Sequence, residues 1–70
     1  MGHLVLTRKK DESVVIHVNG TIVAEIMVVQ STEGRVRLGV AAAESIGVDR
    51  AEVFEERHPN ALAHHKKQQK

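Results

Sequence analysis

Apolar and polar residues alternate along most of the first fifty positions with the period of two that marks half-buried strands. In residues 4–9, Leu4 and Leu6 share one face, with Val5 and Thr7 on the other. Asp11, Glu12 and Ser13 turn the chain into a β-branched run over residues 14–18, a second strand. Asn19-Gly20 follows, a pair that tolerates the positive φ of a two-residue hairpin. Residues 21–29 read as a third strand, apolar on both faces, with Val23 and Met27 opposite Ile22, Ile26 and Val28. Two-sided burial in so small a chain implies a second layer, most simply another copy. After a polar loop over residues 30–34, residues 35–40 put Val36, Leu38 and Val40 inside and Arg35, Arg37 and Gly39 outside. The alanine-rich residues 41–45 connect to a short strand over residues 46–48.

A helix is predicted next, over residues 50–58. Asp49 stands as its N-cap, and Glu52, three positions on, completes a capping-box pattern. Phe54 turns toward the core, and Pro59-Asn60 ends the helix. The expected organisation is one domain over residues 1–58 and a polar, disordered tail over residues 59–70.

Seventy residues without a cysteine make a small core with no disulfide or thiolate metal site to staple it. Oligomerisation is then the favoured route to stability. The fold class expected is mainly β: a five-stranded chain with a short C-terminal helix, completed as an intertwined, strand-exchanged homodimer that also covers its sheet edges. No segment is long and apolar enough to span a membrane or to resemble a signal peptide, so a cytoplasmic location is expected.

The formal net charge is only +1, which leaves local patches to attract any polyanion. Arg50, at the mouth of the helix, can fork onto a guanine O6/N7 edge or a phosphate, or simply pair with Asp49 or Glu52 at the surface. Arg8, Lys9 and Lys10 can position a nucleic-acid backbone, but equally make a solvated strand edge. Arg35 and Arg37 have the same two readings. Phe54 is the only aromatic residue of the Phe, Tyr and Trp set, so bases stacked on aromatic platforms are disfavoured. His3, His17, His58 and the adjacent His64-His65 lack the spacing of a metal site. Ser13, Ser31 and Ser45 have no adjacent histidine arranged for catalysis, and no glycine-rich phosphate loop occurs. No enzyme activity, cofactor or small-molecule substrate is expected.

The segments at residues 4–9, 11–16, 36–40 and 48–53, in that order, resemble the carbon storage regulator family (CsrA, also called RsmA) of bacterial post-transcriptional regulators. The resemblance implies a homodimer of five-stranded chains with interleaved strands. It implies binding to GGA-containing sites in messenger leaders, with translation repressed or message stability altered. Each of two sites would form where the first strand of one chain lies beside the last strand of the other. Leu6, Thr7 and Arg8 would line one side, and Ala42, Ile46, Val48 and Arg50 the other, with Arg50 matching the family's most critical arginine. The resemblance also implies small regulatory RNAs carrying GGA as further partners of that kind. Two sites on one dimer would gain from high effective concentration.

Several positions depart from the family pattern. Ala43 stands in place of a usual proline, Asp49 in place of a histidine and Ala51 in place of a glutamate. Gly2-His3 lengthens the N-terminus, and the stretch from residue 16 to 36 is a few residues longer than usual. Asp49 is expected to set a negative charge beside the RNA groove and weaken phosphate approach. Two other readings follow: a diverged member acting mainly through protein partners, such as a flagellar assembly antagonist, and a strand-swapped dimer with no specific ligand.

Overall fold

The structure, a computed structural model, describes residues 2–62, with side chains from residue 4 onward. Five strands lead into one helix: β1 (Gly2–Arg8), β2 (Ser13–Val18), β3 (Thr21–Met27), β4 (Val36–Ala42), β5 (Gly47–Arg50) and α1 (Ala51–Arg57). The mainly β class with a short helix after the strands is as the alternation predicted.

The strands form two antiparallel units. β1 pairs with β4 as a ribbon, and β2 lies between β3 and β5 in a three-stranded sheet. Among the described residues, no strand pairs with the second edge of β1 or of β5. In the ribbon Leu4 faces Val40, Leu6 faces Leu38 and Arg8 faces Val36, which gathers them on one face. Thr7 opposite Arg37 and Val5 opposite Gly39 make the other face. Leu6 and Arg8 are buried while Thr7 and Arg37 are exposed, so the first face is the inner one.

The β2–β3 hairpin closes through Asn19 and Gly20 at φ 50° and 85°, as that dipeptide demands. Past the turn the simple alternation of β3 fails. Ile16 pairs with Ala24 but His17 pairs with Ile22, which leaves Val23 out of register as a bulge. The bulge moves Ile22 to the face shared by Val15 and His17. There Ile22 packs against the cluster of Val15, Phe54 and Leu62, joined by Ala51 and Ala61. Val23, the extra residue, is 62% exposed. The expected two-sided burial of this strand is not reached within one chain, since Met27 and Ile26 are also exposed. It is reached in β2, where Val14 and Val15 on opposite faces are both fully buried.

β4 runs on through Ala42, further than the alternating pattern alone defined. The link to β5 is a tight turn in which the Ile46 N–H donates to the Ala43 carbonyl at 2.9 Å. β5 then continues through Asp49 and Arg50, so the helix begins one residue later than expected. Arg50 is its N-cap and makes no side-chain capping bond. The capping box read from Asp49 and Glu52 is therefore not formed: both side chains have partners elsewhere in the fold.

The packed structure also passes the boundary expected at residue 58. Beyond Pro59, Asn60 takes φ 70°, the Ala61 N–H donates to the His58 carbonyl, and Leu62 is buried on Val15 and Phe54. The rest of the expected tail lies outside the described residues. Phe54→Ala should lower unfolding free energy by about 3–5 kcal/mol and Leu62→Ala by about 2–5 kcal/mol, through lost burial plus residual cavity. Urea unfolding followed by circular dichroism measures both; a neutral Leu62→Ala would return residues 61–62 to the tail.

Candidate nucleic-acid interface

The residues expected to bind RNA fall mostly on or beside β1 and β5, two of the strands with an unpaired edge among the described residues, with Ala42 on β4. On β1, Leu6 is buried, Thr7 is exposed and Arg8 is buried. On β5, Val48 is half-buried and Arg50 exposed, with half-buried Ile46 immediately before the strand. Ala42 sits at the far end of the ribbon from Arg8, opposite Gly2. With about 3.3 Å per residue, those two positions are roughly 20 Å apart along the strands. Within one chain the expected residues therefore fall into separate groups: Leu6, Thr7 and Arg8 on β1, Val48 and Arg50 on β5 with Ile46 just before it, and Ala42 at the end of β4.

β5 sorts its charged side chains by parity. Val48 and Arg50 pair with Ile16 and Val14, whereas Gly47 and Asp49 pair with His17 and Val15 on the opposite face, beneath the helix. Asp49 Oδ2 lies 2.8 Å from His17 Nε2, and Arg57 Nη1 is 3.9 Å from Asp49 Oδ1. His17 Nδ1 accepts from the Gly20 N–H at 3.4 Å, which places the proton of the neutral ring on Nε2, where it donates to Asp49. The His17 ring packs on Phe54 with 4.8 Å between centroids and approaches His58 at 5.9 Å. Gly47 makes this possible, since a Cβ there would collide with the His17 ring. The negative charge expected beside the RNA groove is therefore on the helix face, stapling β5 to β2, and not on the face that carries Arg50.

Arg8 is the most heavily bonded side chain of the set. Its Nη1 and Nη2 reach Glu52 Oε1 and Oε2 at 2.9 and 2.8 Å, a two-point fork across 44 residues of sequence. Nη1 also donates to the Ser13 carbonyl and Nε to the Thr7 carbonyl, each at 3.1 Å. Glu12 Oε1, which accepts from the Lys9 N–H at 2.7 Å, lies 3.8 Å from Nε. The fork holds the Glu52 carboxyl at about 2, well below its ordinary 4.5, helped by the backbone N–H of Glu52 and by the charges of Arg8 and Arg50. The same hydrogen bond raises the Arg8 guanidinium further above its already high value.

Glu52 was read as part of a helix cap, and its actual role was missed. The signal was available: Arg8 shares parity with Leu4 and Leu6, so alternation itself sends it inward, where a guanidinium requires a carboxylate. His17, weighed as a metal ligand, is a half-buried ring packed on Phe54 and bonded to Asp49. Among the described residues no three His, Cys, Asp or Glu side chains are arranged to hold a metal ion. None of the described helices is long and apolar enough to cross a membrane.

Open strand edges, an exposed arginine on one of them and a salt bridge from the buried Arg8 to Glu52 between the two units characterise a small, mainly β protein. The family model described as the global regulator protein family, CsrA, matches residues 3–58, and the chain belongs to this carbon storage regulator family. It is a family of regulators and not of enzymes. No solved structure matches the chain.

The depressed carboxyl of Glu52 has a pH signature. A group held below its unfolded value stabilises the fold above that value and loses the contribution as pH falls through the folded one. The melting temperature should therefore drop between pH 4.5 and about 2 by more in the native protein than in Glu52→Gln. Thermal melts across that range measure it; parallel curves for the two proteins would mean the fork does not persist in solution.

Proposed function

We propose that the chain is an RNA-binding post-transcriptional regulator that works as a homodimer. The observation that supports this is that, in a CsrA-family chain, Leu6, Thr7 and Arg8 lie on β1 and Val48 and Arg50 on β5, strands each left with an unpaired edge among the described residues. Pairing β1 of one protomer with β5 of its partner would satisfy both rows of open N–H and C=O groups. It would also bring these two groups together twice per dimer, with Ile46 and Ala42 at the far end of each.

The ligand is single-stranded RNA displaying GGA, in messenger leaders or in small regulatory RNAs, and binding there represses translation or alters message stability. The chemistry fits single-stranded recognition, in which unstacked bases expose their edges. Phe54 is fully buried, so no Phe, Tyr or Trp is free to stack a base. Reading falls to backbone groups on the strand edges, to the aliphatic side chains and to the guanidinium of Arg50, which can fork onto guanine O6 and N7. The action proposed is cytoplasmic.

The second reading, action mainly through a protein antagonist with RNA binding relaxed, drew its support from Asp49. With that carboxylate tied to His17 on the opposite face of β5, the support is largely removed.

The test is a fluorescence titration of the protein against a hairpin with GGA in its loop, beside a mutated-loop hairpin, with the dimer checked by light scattering. Arg50→Ala should keep its dimer and lose about 1–3 kcal/mol of binding to the GGA hairpin. Affinity should fall steeply with salt, because neutralised phosphates release counterions. Equal, weak binding to both hairpins, unaffected by Arg50→Ala, would sink the proposal.

A further inference from the structure

Arg8 and Arg50 are both arginines of the proposed site, yet they stand in different chemical states. An arginine has five N–H donors. Four hydrogen bonds already engage those of Arg8: one to Thr7, one to Ser13 and two to Glu52. Its residue exposure is 5%, so its fork faces protein and not solvent. Arg50 is exposed and, among the described residues, makes no side-chain hydrogen bond or ion pair; it stands two residues before Glu52 in sequence. Its charge reaches the same carboxylate without a direct bond. Glu52 itself is 60% exposed on its side chain, so it sits at the surface between one sequestered cation and one free one.

We propose, building on the RNA-binding reading above, that Glu52 is a positioning and specificity residue of the site: its carboxylate occupies the fork of Arg8 and withholds that cation from RNA phosphates. Arg8 is then a positioning residue as well. Through Ser13 and Glu52 it fixes where the end of β1, with Leu6 and Thr7, lies relative to the helix mouth that carries Arg50.

The consequence concerns discrimination more than strength. Every cation offered to phosphate raises affinity for all RNA alike, because that contact carries no sequence information. Specificity is a difference of affinities. A site that keeps one of its arginines bonded to a carboxylate lowers sequence-independent binding while the base-reading geometry is retained. A carboxylate near the groove adds a second effect in the same direction, repelling any phosphate not held in place by paired base contacts.

The experiment is the logarithmic slope of affinity against salt, measured for GGA and mutated-loop hairpins with native protein, Arg8→Ala, Glu52→Gln and Arg50→Ala. Each protein is first checked for a dimer and a cooperative melt. Glu52→Gln should bind the mutated-loop hairpin several-fold more tightly, narrow the preference for GGA, and steepen the slope by ~0.7 per site, the increment for one additional phosphate contact on a single strand. Arg8→Ala should weaken GGA binding yet leave the slope at its native value. A slope shallower by ~0.7 in Arg8→Ala would mean that Arg8 touches phosphate and would overturn the proposal. Unchanged binding of both hairpins by folded Glu52→Gln would overturn it too. Should Glu52→Gln fail to fold, the Arg8→Ala slope decides alone. The native and Arg50→Ala arms report separately on RNA binding: a native protein indifferent to GGA fails the underlying reading, whereas a GGA-specific one with the wrong slopes fails only this inference.

Discussion

The fork between Arg8 and Glu52 is the interaction on which the arrangement of the molecule turns. The ribbon of β1 and β4 and the sheet of β3, β2 and β5 share no strand pairing among the described residues. Something must fix one unit against the other, and Arg8 reaches the start of β2 through the Ser13 carbonyl and the first turn of the helix through Glu52. A buried guanidinium is costly unless nearly all its donors are met. That cost gives the contact its directionality: apolar packing alone would tolerate sliding of the ribbon, whereas a two-point fork is satisfied at only one relative placement. Since Leu6 and Thr7 precede Arg8 directly, their position follows from the same bond.

Much of the fold was legible because it depends on local rules. Asn19-Gly20 forces a tight hairpin whatever surrounds it, and the alternation from Val36 to Val40 survives because β4 pairs regularly with β1 along its length. Phe54, the largest apolar side chain of its segment, could be placed inward from the sequence alone. What was not legible involves choices between partners. Asp49 and Glu52 have cap spacing, but a cap bond is worth about 1 kcal/mol, and each carboxylate meets a stronger donor across the fold. The bulge at Val23 is invisible to a period-two pattern, because Ile22, Val23 and Ala24 are all apolar and either register looks acceptable. Leu62 was lost because the short apolar run of residues 61–63, set in a polar context, carries no periodicity.

The candidate site divides in the same way. Its residues came from an ordered resemblance spanning most of the chain, and the family match over residues 3–58 agrees with it. What the resemblance did not convey was the state of each side chain. Leu6, Arg8 and Arg50 look alike as members of a motif. In the fold the first is packed, the second has most of its donors bonded within the protein and the third is exposed without a side-chain partner among the described residues, which are three different relations to a ligand.

One departure from the family pattern, Asp49, also acquires a physical account. An acidic residue directly before Arg50 looks harmful when charges are counted along the chain, but a strand separates neighbours onto opposite faces. On its own face Asp49 meets His17, whose ring is accommodated only because position 47 is glycine and is backed by Phe54. Gly47, His17 and Asp49 therefore form one unit: a larger residue at 47 would expel the ring, and without the ring the carboxylate would be half-buried with only the distant Arg57 to answer it. Charge at position 49 bears on how firmly β5 is held to β2, and through that on where Arg50 is presented. It reaches the face that carries Arg50 as geometry, with the sign of the charge spent on the other side of the strand.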